Sequence, residues 1–106
     1  MPEEPEITNE QLIRGKLNSE TARIAWKELQ RYFAGGYTLL VSTELDLIEV
    51  GYQFHQDNAA QIEQWLNAGT LAQVSNEQAR QWFNDDAELW ACVVSPWVLI
   101  QADAED

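Results

Sequence analysis

The sequence predicts an α+β domain in which roughly four helices pack on a small sheet of about three strands. Three observations lead to this prediction. Several stretches repeat their apolar residues at helical spacing, short apolar runs rich in strand formers lie between them, and 106 residues suffice for one domain only. The predicted order of elements is α-β-α-α-β-α-β, which has too few strands for a doubly wound sheet.

The first element is predicted to be one long helix. An acidic, proline-containing segment precedes it, and we expect residues 1–7 to be a disordered tail. Thr8 and Gln11 have the spacing of a capping box, which indicates a helix start. Good helix formers continue to Phe33. The sequence therefore predicts one long helix from Thr8 to Phe33. Asn18-Ser19 is the point where it can kink or break into two helices, because Asn and Ser favour caps over helix interiors.

A strand is predicted over residues 37–42, and the segment after it fits two templates. The second half of 44–56 alternates like a strand. Its polar residues nevertheless share one narrow helical stripe and leave the remaining circumference apolar. We therefore predict a mostly buried helix over 44–56, with Gly51 on its apolar side permitting close approach by a neighbour. The residues predicted to be exposed are Asp46, Glu49, Gln53 and Gln56, and those predicted to be buried are Leu47, Val50 and Phe54.

The second half of the chain is predicted to hold two more helices and two more strands. A helix is expected over Ala59–Ala68, a weak strand over Thr70–Val74, and another helix after the capping residue Ser75. The last strand, Leu89–Gln101, is apolar on both faces, which predicts cover on both sides.

Pro96 interrupts this last strand and predicts a bulge or an edge position, because proline cannot donate to a strand ladder. The globular domain is expected to span residues 8–101. Residues 102–106 are then an acidic C-terminal tail.

Charge excludes several classes of partner. Eighteen acidic and six basic residues give a net charge of −12, and residues 32–106 contain twelve acids and only Arg80. A body this negative repels phosphate backbones and anionic lipids, so we expect no direct nucleic-acid binding and no membrane docking. No apolar run is long enough to span a membrane, and no secretory signal is evident, which favours a cytoplasmic location. One cysteine and one histidine cannot form a zinc site alone, so no cofactor is expected.

Four blocks of the sequence form a recognisable pattern. They are Leu17-Asn18 with residues 20–26 and 28–31, then residues 44–50, then Val74-Ser75 with residues 77–79 and Trp82, and last residues 89–91, 93–94 and 96–99. Together these blocks resemble an uncharacterised bacterial family of short acidic proteins known only as a domain of unknown function. The likeness spans about residues 10–101. It implies a bacterial source and a free-standing domain, and it brings no catalytic residue with it.

One candidate contact surface is a basic stripe on the first predicted helix. Lys16, Arg23, Lys27 and Arg31 recur at helical spacing, on a chain whose remainder is strongly acidic. Such a stripe is either a solvated face or a docking face for an acidic surface. Because exposed ion pairs contribute little, an apolar anchor must supply most of the affinity. The predicted contact is therefore centred on Arg23, Trp26, Lys27 and Arg31.

A second candidate site is centred on His55, the only histidine. General acid–base chemistry near neutral pH depends first on such a side chain. Tyr52 and Asp57 are the titratable side chains nearest to it in sequence, and a catalytic role requires the three to converge in an open pocket.

The best-supported function is a non-enzymatic cytoplasmic protein-binding or regulatory module, with self-association as one form of it. No serine elbow, phosphate-binding glycine loop or metal-ligand pattern points to an enzyme. Two alternatives remain open. The first is a small enzyme centred on His55, and the second is an acidic mimic of nucleic acid that occupies a basic DNA-binding protein.

Overall fold

A computed structural model of the chain describes residues 7–103. Those residues form an α+β fold of five helices and one five-stranded mixed sheet. Residues 1–6 of the predicted N-terminal tail and residues 104–106 lie outside the described part, while Ile7 is exposed. In chain order the elements are α1 Asn9–Glu20, β1 Ala22–Ala25, α2 Trp26–Ala34, β2 Thr38–Val41, α3 Leu47–His55, α4 Ala59–Ala68, β3 Leu71–Gln73, α5 Asn76–Asn84, β4 Glu88–Val94 and β5 Trp97–Gln101.

The sheet has the strand order β1-β4-β5-β2-β3, so β5 lies at its centre. β5 runs parallel to β2, and the other neighbouring pairs are antiparallel. Side chains of α1, α3 and α4 pack on one face of the sheet, and those of α2 and α5 pack on the other. Val98, Leu99 and Ile100 of β5 are all buried, which confirms the predicted cover on both sides.

The prediction of about three strands was too low, partly because residues 89–101 form two strands. β4 and β5 pair as an antiparallel hairpin from Trp90↔Gln101 to Val94↔Trp97. Ser95 and Pro96 form its two-residue turn. Pro96 thus marks the point where the chain reverses, since a proline in a turn removes no ladder hydrogen bond.

The prediction of a continuous first helix was wrong, because residues 22–25 form the edge strand β1. The helix ends where the Thr21 N–H donates to the carbonyls of Leu17 and Asn18 and the Thr21 hydroxyl donates to Leu17 at 2.7 Å. β1 then pairs with residues 88–91 of β4. Pairing with a distant strand here overrides the helix propensity of the alanines and arginine. The split also raises the number of helices from four to five.

The predicted helix over residues 44–56 is confirmed as α3, with Asp46 accepting hydrogen bonds from the N–H groups of residues 48 and 49 as its N-cap. Most of the predicted faces are correct, since Leu47 and Val50 are buried and Asp46 and Gln56 are exposed. The three exceptions are only half-buried: Glu49, Gln53 and Phe54.

Gly51 lets α3 lie close to the sheet. A β-carbon placed there would lie 3.2 Å from the Cys92 sulfur on β4, and 3.6 Å from a methyl group of Leu17 on α1. The contact with Cys92 is tighter than most β-carbon contacts, so the absence of a side chain favours this spacing, as the sequence predicts. The glycine therefore sets the distance between two elements of the core.

We expect Gly51→Val to lower the free energy of unfolding by about 1–3 kcal/mol, because its methyl groups must displace Cys92 and Leu17. Urea denaturation measures this. Gly15→Val is the matched control, since Gly15 also lies in a helix but a β-carbon there would have no neighbouring heavy atom within 4 Å. Equal losses in the two variants would contradict the close approach.

Candidate functional site

Trp26 does not lie on the surface, so the predicted apolar anchor of the basic stripe is corrected. It is the first residue of α2 and its side chain is 0% exposed. Its ring packs against Phe33 at 5.5 Å and against Trp82 of α5 at 5.0 Å between centroids. The cause is the break in the first helix, which lets α2 start at Trp26 and turn this residue, with Leu29, onto the sheet.

Two of the three predicted contact bases form ion pairs within the domain. Arg23 lies 2.8 Å from a carboxylate oxygen of Asp103 and 3.9 Å from one of Glu88. Lys27 lies 3.1 Å from Asp86. The same Asp103 accepts a hydrogen bond from the Trp90 indole at 3.1 Å, so this residue of the predicted tail contacts the β1–β4 edge.

Arg31 differs from these two bases. Its guanidinium lies 4.8 Å over the ring of Tyr32 and donates to the Tyr32 hydroxyl at 2.8 Å. Within residues 7–103 it forms no ion pair. Arg31 is therefore the predicted contact residue whose charge remains available to a partner.

The three residues of the His55 hypothesis do not converge. Tyr52 is buried, its hydroxyl accepts a hydrogen bond from Gln56 at 2.6 Å, and Arg14 stacks over its ring at 4.2 Å. His55 is exposed at the end of α3 and makes no side-chain hydrogen bond in the described part of the chain. Asp57 lies in the turn after α3. No hydrogen bond in residues 7–103 links these three side chains, so the geometry gives no general acid–base site.

The surroundings of Cys92 and of the Arg14–Glu49 pair indicate structural roles for these side chains. Burial raises the pKa of the Cys92 thiol, which opposes formation of a nucleophilic thiolate. Arg14 forms an ion pair with Glu49, which joins α1 to α3 and holds the pKa of the Glu49 carboxyl below its ordinary value.

Over residues 7–103 there is no group of three His, Cys, Asp or Glu residues that could hold a metal ion. No helix of this part of the chain has the length and apolarity needed to cross a membrane.

An open apolar cleft of about 390 Å³ lies where α3, α4 and the β4–β5 turn meet, which we call the corner cleft. Its position follows from the tight turn between the two helices. Asp57 adopts a left-handed backbone conformation with φ of 56°, and Asn58 directly after it caps α4. Asp tolerates this conformation better than most residues. The cleft lies beside this turn, where residues of both helices and of the hairpin line it.

The walls of the corner cleft are mainly apolar side chains held at fixed angles. Trp97 begins β5 and makes edge-to-face contacts with Tyr37 and Phe54, each at 6.4 Å between ring centroids. Ile62 is half-buried, and Leu66 is 47% exposed. The full lining is Phe54, Asp57, Ala59, Ile62, Glu63, Leu66, Val94, Ser95, Pro96 and Trp97.

The rim of the corner cleft is negative. Asp57 and Glu63 line it, and neither forms an ion pair within residues 7–103. Residues 32–79, which supply both helices of the cleft, contain six acidic residues and no lysine or arginine. The cleft thus combines an apolar floor with carboxylates that the domain itself does not neutralise.

The comparisons with known proteins address family and fold. Residues 12–102 match the family described as "Protein of unknown function (DUF2288)". The chain belongs to this family. It is also similar to PA1075 from Pseudomonas aeruginosa, with 40% identity, a TM-score of 0.77 against its NMR solution structure, and cover of 96% of this chain and 95% of that chain. A search of curated proteins gave no match.

Sequence reasoning missed the corner cleft because its lining comes from three separate segments. The one sequence signal was the absence of bases from residues 32–79 beside apolar residues on two short helices. That signal locates an acidic region but not a concavity. The β4–β5 turn, which completes the cleft, was part of the segment predicted as a single strand.

The internal ion pairs of Arg23 and Lys27 lead to a stability prediction. Arg23→Glu with Lys27→Glu places carboxylates beside Asp103, Glu88 and Asp86, and we expect the free energy of unfolding to fall by about 1–2 kcal/mol through lost pairing and added repulsion.

Thermal unfolding of the purified variants measures this effect. Lys16→Glu with Arg80→Glu is the control, since it changes the net charge equally at two bases without ion pairs in residues 7–103. A control that loses as much stability would show that net charge alone matters.

Proposed function

We propose that this chain is a non-enzymatic cytoplasmic protein-binding module, and that the corner cleft takes an apolar side chain from a basic segment of its partner. The observation that carries the proposal is the combination of an apolar floor with a rim of unpaired carboxylates. The volume of about 390 Å³ falls within the range of ligand-binding clefts. A single cysteine, with its thiol buried, suits the reducing cytoplasm.

The apolar floor of the corner cleft supports the proposal because it can supply most of the binding energy for a partner. Binding energy at protein interfaces comes mostly from a few large side chains that enter pockets, while charges at the rim contribute less. Trp97 and Phe54 give the cleft aromatic walls, and the two rings are in edge-to-face contact with each other. The partly exposed Leu66 offers apolar area that an incoming side chain would bury.

The carboxylates at the rim of the cleft support the proposal because they favour a positively charged partner segment over a negatively charged one. Complementary fields raise the association rate and orient the encounter, and like charges reject the wrong partner. A segment that carries lysines or arginines beside an apolar residue satisfies both parts of the cleft. An acidic or phosphate-bearing partner meets repulsion from Asp57, Glu63 and the surrounding base-free helices.

Calorimetric titration with a synthetic amphipathic helical peptide of leucines and lysines tests the apolar part of this proposal. We expect Leu66→Asp to weaken binding at least about tenfold, because it places a charge on the cleft floor. Leu12→Asp is the matched control: Leu12 is also an exposed leucine on a helix, but it does not line the cleft. Equal loss in the two variants would contradict the assigned location.

The carboxylates are tested with variants of identical net charge. Asp57→Asn with Glu63→Gln removes the rim charges, and Glu77→Gln with Asp85→Asn removes two exposed charges elsewhere. We expect the first pair to weaken the peptide more and to lower the salt dependence of binding. Indistinguishable affinities would mean that the peptide responds to net charge rather than to the cleft.

A further inference from the structure

A second apolar groove lies on the opposite face of the sheet, between α2 and the free end of β4, and we call it the α2–β4 groove. Its volume is about 460 Å³. Val93 projects into it and is 51% exposed, which is unusual for a valine in a strand next to the centre of a sheet. The lining residues are Ile24, Glu28, Leu29, Arg31, Tyr32 and Val93.

Within residues 7–103, the N–H and C=O groups of Val93 are also unpaired on the edge of β4 that pairs with β1 earlier in the strand. β1 ends its pairing at Ala22↔Ala91, because the chain before it turns into α1 at Thr21. The Val98 N–H donates to the carbonyl of Tyr37, on the β2 side. The antiparallel pair Val93↔Val98 is therefore of the non-hydrogen-bonded kind, so both polar groups of Val93 point away from β5 to the open edge.

The two charged side chains that line this groove have opposite sign and can complement those of a second copy. Glu28 and Arg31 are three residues apart on α2 and have opposite sign, and neither forms an ion pair within residues 7–103. When two helices meet antiparallel around a two-fold axis between these positions, Glu28 of each must face Arg31 of the other. A patch that complements itself in this way fits an isologous contact between identical chains.

The distribution of charge favours the same occupant. Residues 22–34, which form β1 and α2, hold three basic residues and one acidic residue, whereas residues 35–103 hold ten acidic residues and one arginine. Two copies of a chain with a net charge of −12 repel one another most through the acidic part. The region of α2 and β1 is where they can approach with the least repulsion.

We propose that two copies of this chain associate through the α2–β4 groove around a two-fold axis that passes between Glu28 and Arg31, with Glu28 of each copy paired with Arg31 of the other and Val93 buried in the contact. This contact is separate from the corner cleft and does not depend on it. It also changes the contact predicted for the basic stripe: Arg31 still contacts the second molecule, whereas Trp26 is buried within its own domain.

Sedimentation equilibrium of the purified chain and two charge-reversal variants tests this proposal. The parent chain is expected to dimerise at or below about 1 mM. Arg31→Glu and Glu28→Arg are each expected to weaken dimerisation at least about tenfold, because each places two like-charged pairs at the contact. Mixing the two variants in equal amounts should restore association, since the mixed dimer regains both opposite-charge pairs.

Control variants separate this contact from a general effect of charge. Glu77 and Arg80 have the same spacing and signs on the exposed side of α5, so Glu77→Arg and Arg80→Glu should leave dimerisation within about twofold of the parent. Three results would overturn the proposal: a monomeric parent at about 1 mM, an Arg31→Glu variant that dimerises like the parent, or a mixture that associates no better than its components. Circular dichroism confirms that each variant is folded, and a reversal that unfolds is replaced by Val93→Lys, with the same expected loss.

Discussion

The constraint on which this structure depends is that β5, a strand of five residues, must be covered on both faces. Val98, Leu99 and Ile100 are apolar and buried in succession, so their side chains point alternately to two helical layers. Neither layer alone could protect the strand. The chain therefore divides its helices, with α1, α3 and α4 on one face and α2 and α5 on the other. The break at Thr21 serves this division, because it lets the chain pass from one face to the edge of the sheet and then to the other face.

The division of the helices between two faces also determines which charged side chains form ion pairs inside the domain. The bases near the β1–β4 edge, Arg23 and Lys27, lie beside carboxylates from the α5–β4 turn, from the start of β4 and from the chain after β5. Arg14 pairs with Glu49 between α1 and α3. The acidic residues around the α3–α4 turn have no lysine or arginine near them in sequence, and those that line the corner cleft form no ion pair within residues 7–103. The proposed binding function relies on the charges that folding leaves without a partner within residues 7–103.

Local sequence patterns predicted much of the fold but little of the site. The helix over residues 44–56 was predictable because four polar residues share one stripe, and the caps at Thr8 and Ser75 mark real helix starts. β1 was not predictable locally, because its residues are good helix formers and only pairing with β4 makes them extended. For the same reason Trp26 was misplaced. The corner cleft joins residues about 40 positions apart, and the α2–β4 groove depends on where β1 stops. Both are properties of the assembled sheet, which a local pattern does not encode.

We propose that the corner cleft receives an apolar side chain from a basic segment. Isotope-filtered nuclear Overhauser spectra of the labelled protein with an unlabelled leucine–lysine peptide examine this contact, because they report which protons lie close together across it. We expect cross-peaks from leucine methyl groups of the peptide to Trp97, Phe54 and Leu66. Cross-peaks confined to exposed apolar residues outside the cleft, such as Leu12, Trp90 or Val93, would contradict it.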